Sequence, residues 1–364
     1  ALRAAVSWNG RGRPVASRAS ASPSSTAVRS GSARTAAFRV DQIASNDAVL
    51  PDVAARGDGG FQVTWGNWTA TGTFDDVRTR SYDAQGRALG PDSLLNTAYT
   101  EFDQIHTRSC TLANGCVVAV WNAEGYLPGG TISDNGVRGT IFGPDGRVIR
   151  ADFHLAETFG QVGDNSDYGY DVAPLANGGF VLSVKDWSHS VPGSQIELGE
   201  FILLSFYDAR GNVVAHRLPV IETAEIISDT AITQLATGEI VVAWVQSGAG
   251  PGEVGRDVMA RIMSADGRPL SPVFEVGIDA DAYDEQEHVE IAALAGGGFV
   301  VTYDSGSIDV DDEGVAARIF GRGTAGNDVL GVDATQMMNG WAAMTGSPAT
   351  PGTTACGAGL ATTG

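Results

Sequence analysis

A ten-residue unit recurs five times in this chain, and it constrains the fold more than any other feature. Its clearest copy is LANGGFVLSV (175–184), a tight glycine turn that runs straight into an apolar strand. The others are RGDGGFQVTW (56–65), LANGCVVAVW (112–121), LATGEIVVAW (235–244) and LAGGGFVVTY (294–303). Measured on the turn glycines Gly59, Gly115, Gly178, Gly238 and Gly297, the copies lie 56 to 63 residues apart. Self-similarity at such a period marks a repeat architecture, in which each unit covers its apolar faces with its neighbours.

Each repeat offers four strands. A short apolar segment before the turn (171–175, 290–294) is strand a. The near-continuous apolar run after it (61–65, 116–121, 180–184, 240–244, 299–303) is strand b, patterned for burial on both faces. A variable loop leads to strand c (77–82, 137–142, 201–207, 258–263, 315–320). A second tight turn, DAQGR, GPDGR, DARGN or SADGR, then precedes strand d, which includes 153–155 and 274–276. Asp-Gly and Gly-Asn pairs are hairpin signals because glycine takes the φ > 0 position without steric cost. Two hairpins per unit, with no helical periodicity, predict an all-β chain. The expected architecture is a β-propeller of about five four-stranded antiparallel blades with a Gly-rich C-terminal tail. Tandem β-sandwich modules are the rival.

The ends divide the chain further. Residues 1–37 form a divergent or truncated N-terminal segment, residues 38–320 the propeller repeats, residues 321–340 a Gly-Asp segment, and residues 341–364 a low-complexity tail expected to be disordered. The AAVSW stretch ending at Trp8 looks like the end of a strand b, which leaves a sixth blade open. The last repeat stops after strand c, whereas FRVDQ (38–42) matches a strand d with no blade of its own. A terminal strand that completes the last blade would close the ring and pair its edges.

The net charge is −20, yet seven of the 23 basic residues and none of the 43 acids lie in residues 1–40. The acidic remainder excludes nucleic acid and anionic membrane as partners. No apolar run approaches the roughly 18 residues of a spanning helix. Three cysteines make no disulfide framework. Cys110 and Cys116 flank one turn, which leaves open a pair across the hairpin or two separate thiols.

The stretch GTAGNDVLG (323–331) matches five informative positions of the nonapeptide G-G-x-G-x-D-x-U-x. It resembles the repeats-in-toxin (RTX) nonapeptide of secreted bacterial proteins, and the GGFVV-W and F-D-x-x-G patterns resemble arrays found beside such segments. The resemblance implies Ca²⁺ bound by the Asp328 carboxylate and the Gly323 and Ala325 carbonyls, with the protein secreted. A single clear copy and Thr324 in place of the second glycine depart from the stacked pattern. Separately, Asp309, Asp311, Glu313 and Gly314 in the last b–c loop alternate as D-x-D-x-E-G and form a second candidate Ca²⁺ loop. The twelfth-position acid of an EF-hand is missing there.

Catalytic signatures are thin. The five histidines show no metal-ligand spacing, and neither G-x-S-x-G nor H-E-x-x-H occurs. Trp65, Trp121 and Trp244 recur at the end of strand b as packing residues, whereas Trp68 and Trp187 are candidates for stacking on sugar rings. The sequence expectation is a secreted, non-catalytic, calcium-associated module that binds polysaccharide or a cell-surface protein. The alternatives are a glycan-active propeller hydrolase or lyase, or the accessory region of a larger secreted enzyme.

Overall fold

The computed structural model describes residues 6–9, 13–16, 36–43, 47–68, 75–98, 103–123, 126–127, 131–132, 136–157, 169–186, 199–247, 255–277, 286–306 and 314–321. Every regular element among them is a β-strand. Residues 1–319 form one compact unit; the second, 320–364, is described only at Phe320 and Gly321.

A hairpin of β1 (Val6–Asn9) and β2 (Arg13–Ala16) comes first. Five blades follow. Blade one is β3 (Asp47–Ala55), β4 (Phe61–Trp68), β5 (Asp76–Tyr82) and β6 (Ser93–Leu94). Blade two runs through β7 (Gln104–Thr111) and β8 (Val117–Ala123), then a small hairpin of β9 (Tyr126–Leu127) and β10 (Thr131–Ile132), then β11 (Gly136–Phe142) and β12 (Val148–Glu157). Blade three is β13 (Tyr170–Pro174), β14 (Phe180–Asp186), β15 (Glu200–Tyr207) and β16 (Val213–Thr223). Blade four is β17 (Ile227–Gln234), β18 (Ile240–Ser247), β19 (Arg256–Met263) and β20 (Phe274–Glu275). Blade five has three strands, β21 (Gln286–Ala293), β22 (Phe299–Ser305) and β23 (Gly314–Phe320).

The strands of each blade are hydrogen-bonded in chain order and antiparallel. The first strand of each sheet packs against the first strand of the next. Arg108 of blade two also meets Glu290 of blade five, so inner strands of blades distant in sequence face one axis. The fold is therefore a five-bladed β-propeller. A row of sandwich modules would bury each core within its own unit. Here the core lies between blades. One cluster joins Ala54, Val77 and Leu95 of blade one to Val117, Ala119 and Trp121 of blade two. Others join blade two to three and three to four. This explains the doubly apolar strand b: all of β8 is buried, with about 1.5–3 kcal/mol gained for each large side chain covered.

Both turn types take the expected form. The a–b glycines Gly59, Gly115, Gly178, Gly238 and Gly297 all have positive φ, as do Gly86, Gly146, Gly211 and Gly267 in the c–d turns. At Gly115 the constraint is doubled, because a Cβ there would sit 2.7 Å from Gly57 Cα of the adjoining blade. Gly115→Ala is expected to cost about 1–3 kcal/mol, seen as a lower urea midpoint with an unchanged slope.

The structure decides two alternatives that the sequence leaves open and shows a third segment without strand pairing. Cys110 and Cys116 are buried thiols and not a disulfide; Cys110 stands opposite Val118, its own hairpin partner. The segment around Trp8 belongs to the separate β1–β2 hairpin and not to a sixth blade. Residues 38–42 have no regular secondary structure; they run along blade one, where Phe38 lies over Tyr82 with ring centroids 5.3 Å apart.

Candidate active site in the central channel

The inner strands share an irregularity. In β7, Ile105 pairs with Asn122 and Thr107 with Trp121, which leaves His106 as an extra residue. In β17 the extra residue is Asp229, between Ser228 and Thr230. In β21 the register slips between Glu287 and Glu290, around His288, and in β3 between Val49 and Asp52, around Leu50. All four adopt the left-handed region, with φ of 51° at Leu50, 55° at His106, 43° at Asp229 and 54° at His288. Each stands nine residues before its turn glycine, and Gly169 holds that position in blade three. A β-bulge re-aims the side chain of its extra residue, and positive φ at non-glycine residues concentrates at functional sites. Four equivalent bulged positions thus carry side chains of differing chemistry at one end of the inner strands, whereas blade three has a glycine and an unbroken register there.

Blades two, four and five make this end polar. Arg108 and Glu290, each two residues past its bulge, face one another with Nη2 and Oε1 3.6 Å apart. His288 Nδ1 lies 2.9 Å from Asp304 Oδ2, so its Nε2 is directed away from that carboxylate. The Asp304 hydrogen bond is the main cause holding the His288 pKa above its ordinary value, reinforced by the Asp229 charge and opposed by burial. His106 and Asn122 occupy the corresponding places in blade two, so a His–Asn arrangement stands where blade five has its His–Asp pair.

Asp229 is a strongly perturbed group of this cluster. It is 5% exposed, and its Oδ1 has no hydrogen-bond partner among the described residues. Burial pushes its pKa up to about 8; Arg108 and His288 pull it down, and Glu290 pushes it up. The burial cost outweighs the attraction of both cations, so the carboxyl keeps its proton into the neutral range.

Neighbouring blades brace the site. The Tyr170 hydroxyl donates to the His106 carbonyl and accepts from the Asn122 amide at 3.0 Å. Ser109 Oγ donates to Asp52 at 2.6 Å, and the Ile232 amide donates to Asp171 at 2.9 Å. Tyr170→Phe is expected to lower stability by about 1–3 kcal/mol, because the buried His106 carbonyl and Asn122 amide lose a partner. Thermal melting of the variant checks this.

Of the sequence candidates only Trp68 falls among the described residues, and it stands apart from these ion pairs. Trp68 ends β4, half-buried, with its Nε1 unpartnered among the described residues. Trp187, Asp309, Asp311, Glu313, Gly323, Ala325 and Asp328 lie outside the described residues. Conversely, histidines that look scattered in the sequence are not: His106 and His288 are equivalent. The signal that finds them is distance from the turn glycine, not mutual spacing.

No family model and no curated protein matches this chain. Solved structures do, at low identity. A protein of unknown function from Dyadobacter fermentans DSM 18053 is 11% identical, with 77% of this chain and 80% of that one covered and a TM-score of 0.48. A thermostable family-43 glycoside hydrolase is 11% identical, covering 81% and 95%, with a TM-score of 0.41. The endo-arabinase of Bacteroides thetaiotaomicron VPI-5482 is 8% identical, covering 78% and 95%, with a TM-score of 0.42.

Proposed function

We propose that this propeller is a glycan-active enzyme, a hydrolase whose reacting groups are Asp229 and Glu290 at the bulged end of the channel. The observation that carries this reading is the Asp229 carboxyl, raised to about 8 beside a second carboxyl, Glu290, that faces a guanidinium. Glycosidic cleavage needs such a division: one carboxyl protonated to serve as acid, one ionised to serve as base. Asp229 hands its proton to the glycosidic oxygen as the C–O bond breaks. Glu290 takes a proton from the water that attacks the anomeric carbon. Glu290 then releases its proton to solvent, and His288, oriented by Asp304, passes a proton taken up from solvent to Asp229, which resets the site. Trp68, at the same end of blade one as the Leu50 bulge, offers an indole face for a sugar ring.

The test is release of new reducing ends from a panel of neutral and acidic polysaccharides. Wild type is expected to cleave at least one of them, and Glu290→Gln to lose about 10²–10⁴-fold in kcat. A polysaccharide that is bound but never cleaved would overturn the catalytic reading in favour of a binding module.

The RTX-like segment supports a separate proposal, that the protein works outside the cell and gains stability from Ca²⁺ at Asp309, Asp311, Glu313 and Asp328. Saturation at 100 times Kd would add about 2.7 kcal/mol. Melting in Ca²⁺ and in chelator reads this out, and identical curves would dismiss the proposal.

A further inference from the structure

Blade five has a bare face. In the first four blades the strand-c residue five positions before the aromatic or Met that ends the strand is sealed against a neighbouring blade: Val77, Val137, Ile202 and Val258 are all 0% exposed. Their counterpart in β23, Val315, is 70% exposed. Ile319 is 66% exposed, whereas its counterparts Ile141 and Phe206 are buried and Ser81 and Ile262 half-buried. Blade one shows the complementary defect. Phe61 and Val63 are only half-buried, while their counterparts Val117 and Ala119 are fully covered.

The segment 38–42 already lies on blade one in a revealing position. At each described junction between successive blades from two to five, strand c of the later blade reaches a carbonyl in or beside strand d of the earlier one. Tyr207 Oη donates to Leu155 O, Arg261 Nη1 to Val220 O and Arg318 Nη1 to Val276 O. Blade one repeats the contact with Arg80 Nη1, and its acceptor is Val40 O, at 2.9 Å. The aromatic packing repeats as well. Phe153 shares a core cluster with the stacked pair Phe180 and Tyr207, and Phe38 meets the stacked pair Phe61 and Tyr82. Relative to blade one, residues 38–42 therefore sit where the outer strand of a preceding blade belongs.

We propose that the exposed face of β23 is the docking surface for blade one of the same chain, and that residues 38–42 are the missing fourth strand of blade five. The other blades fix the register. Phe274 pairs with Ala260 and Glu275 with Met259, Phe153 with Gly139 and His154 with Arg138, Leu218 with Leu204 and Pro219 with Leu203. Carried to blade five, Phe38 stands opposite Ala317 and Arg39 opposite Ala316. This alternation turns Phe38 and Ala317 toward blade one, the side on which Phe38 already meets Tyr82. Seating the strand covers Val315 and Ile319 and removes an apolar sheet edge that would otherwise recruit another chain.

The test is a cysteine pair, Arg39→Cys with Ala316→Cys, in the full chain carrying Cys356→Ser. Directly opposed residues of an antiparallel pair have Cα atoms about 4.5–5.5 Å apart, within disulfide reach. Oxidation is expected to give a cross-link within one monomer, seen as faster migration on a non-reducing gel. The offset pair Arg39→Cys with Ala317→Cys, its thiols on opposite faces, should not close. A cross-link only between two chains would overturn the proposal and assign the face to a second copy. A folded variant with no cross-link would overturn it outright. As an independent readout, deletion of residues 1–43 should lower the melting temperature and cause self-association; a deletion variant as stable and as monomeric as the full chain would contradict it.

Discussion

Replacing Asp229 with asparagine is expected to abolish the proposed glycan cleavage and, at the same time, to stabilise the protein above neutral pH. The two effects have one cause. Asparagine cannot release a proton to a leaving oxygen, so the acid contribution to rate, about 10²–10⁴-fold, disappears. It also removes a carboxyl whose burial opposes ionisation. Linkage fixes the sign. With a folded pKa of about 8 against 3.8, the native state holds a proton that the unfolded chain has released, so stability falls as pH rises between those values. His288, raised by Asp304, acts in the same direction: its contribution is present below its ordinary pKa of 6.5 and is lost as pH rises through the folded value. Melting temperature should thus decline from about pH 5 to about pH 8.5 in wild type, and the Asp229→Asn curve should be flatter and cross above it. A tenfold change in proton affinity corresponds to about 1.4 kcal/mol, so the difference near pH 8 is on the order of a few kcal/mol. The carboxylates with lowered pKa, such as Asp83, Asp208 and Asp266, have the opposite sign, and their stabilising effect is lost only as pH falls below 3.8.

Trp121→Ala is expected to be the most damaging single core substitution. Trp121 is wholly buried in the cluster that joins blades one and two, and its Nε1 donates to Gln104 Oε1 at 3.1 Å. Truncation removes the largest side chain of that interface and leaves a cavity, together with a buried amide oxygen that loses a donor. The expected cost is about 3–5 kcal/mol, a large share of the typical stability of a folded domain. Because Trp121 stands opposite the His106 bulge, activity should fall along with stability. Trp121→Phe keeps most of the volume and loses only the hydrogen bond, about 1 kcal/mol. Urea denaturation separates the two.

The scaffold was legible in the sequence because a propeller blade advertises itself twice, through its glycine turns and through its apolar strand b. Strand cores such as Phe180 to Val184 lie inside the observed elements, which extend further toward the channel end, to Trp68, Asp186 and Ser247. The site was hidden for a related physical reason. A bulge adds one residue without any compositional mark, and His106, Asp229, His288 and Leu50 share no chemistry that a motif could capture. Only their common backbone position unites them, and that position emerges once the turn glycines are used as the ruler. Glu290 and Arg108 were hidden likewise, because their pairing joins blades two and five across the axis. The FRV of residues 38–40 repeats the FEV of blade four, although the segment is not paired as a strand.

A protonated Asp229 in the channel is the condition for acid catalysis at this site, and it can be measured directly. Carbon-13 NMR of the labelled aspartate carboxyls, assigned by comparison with Asp229→Asn, follows its titration in the folded protein from acid to alkaline pH. One aspartate should show a midpoint near 8, and the variant should lack it. An Asp229 that instead titrates at the ordinary value of 3.8 would contradict the proposed chemistry, because an aspartate already ionised at neutral pH could not serve as the acid.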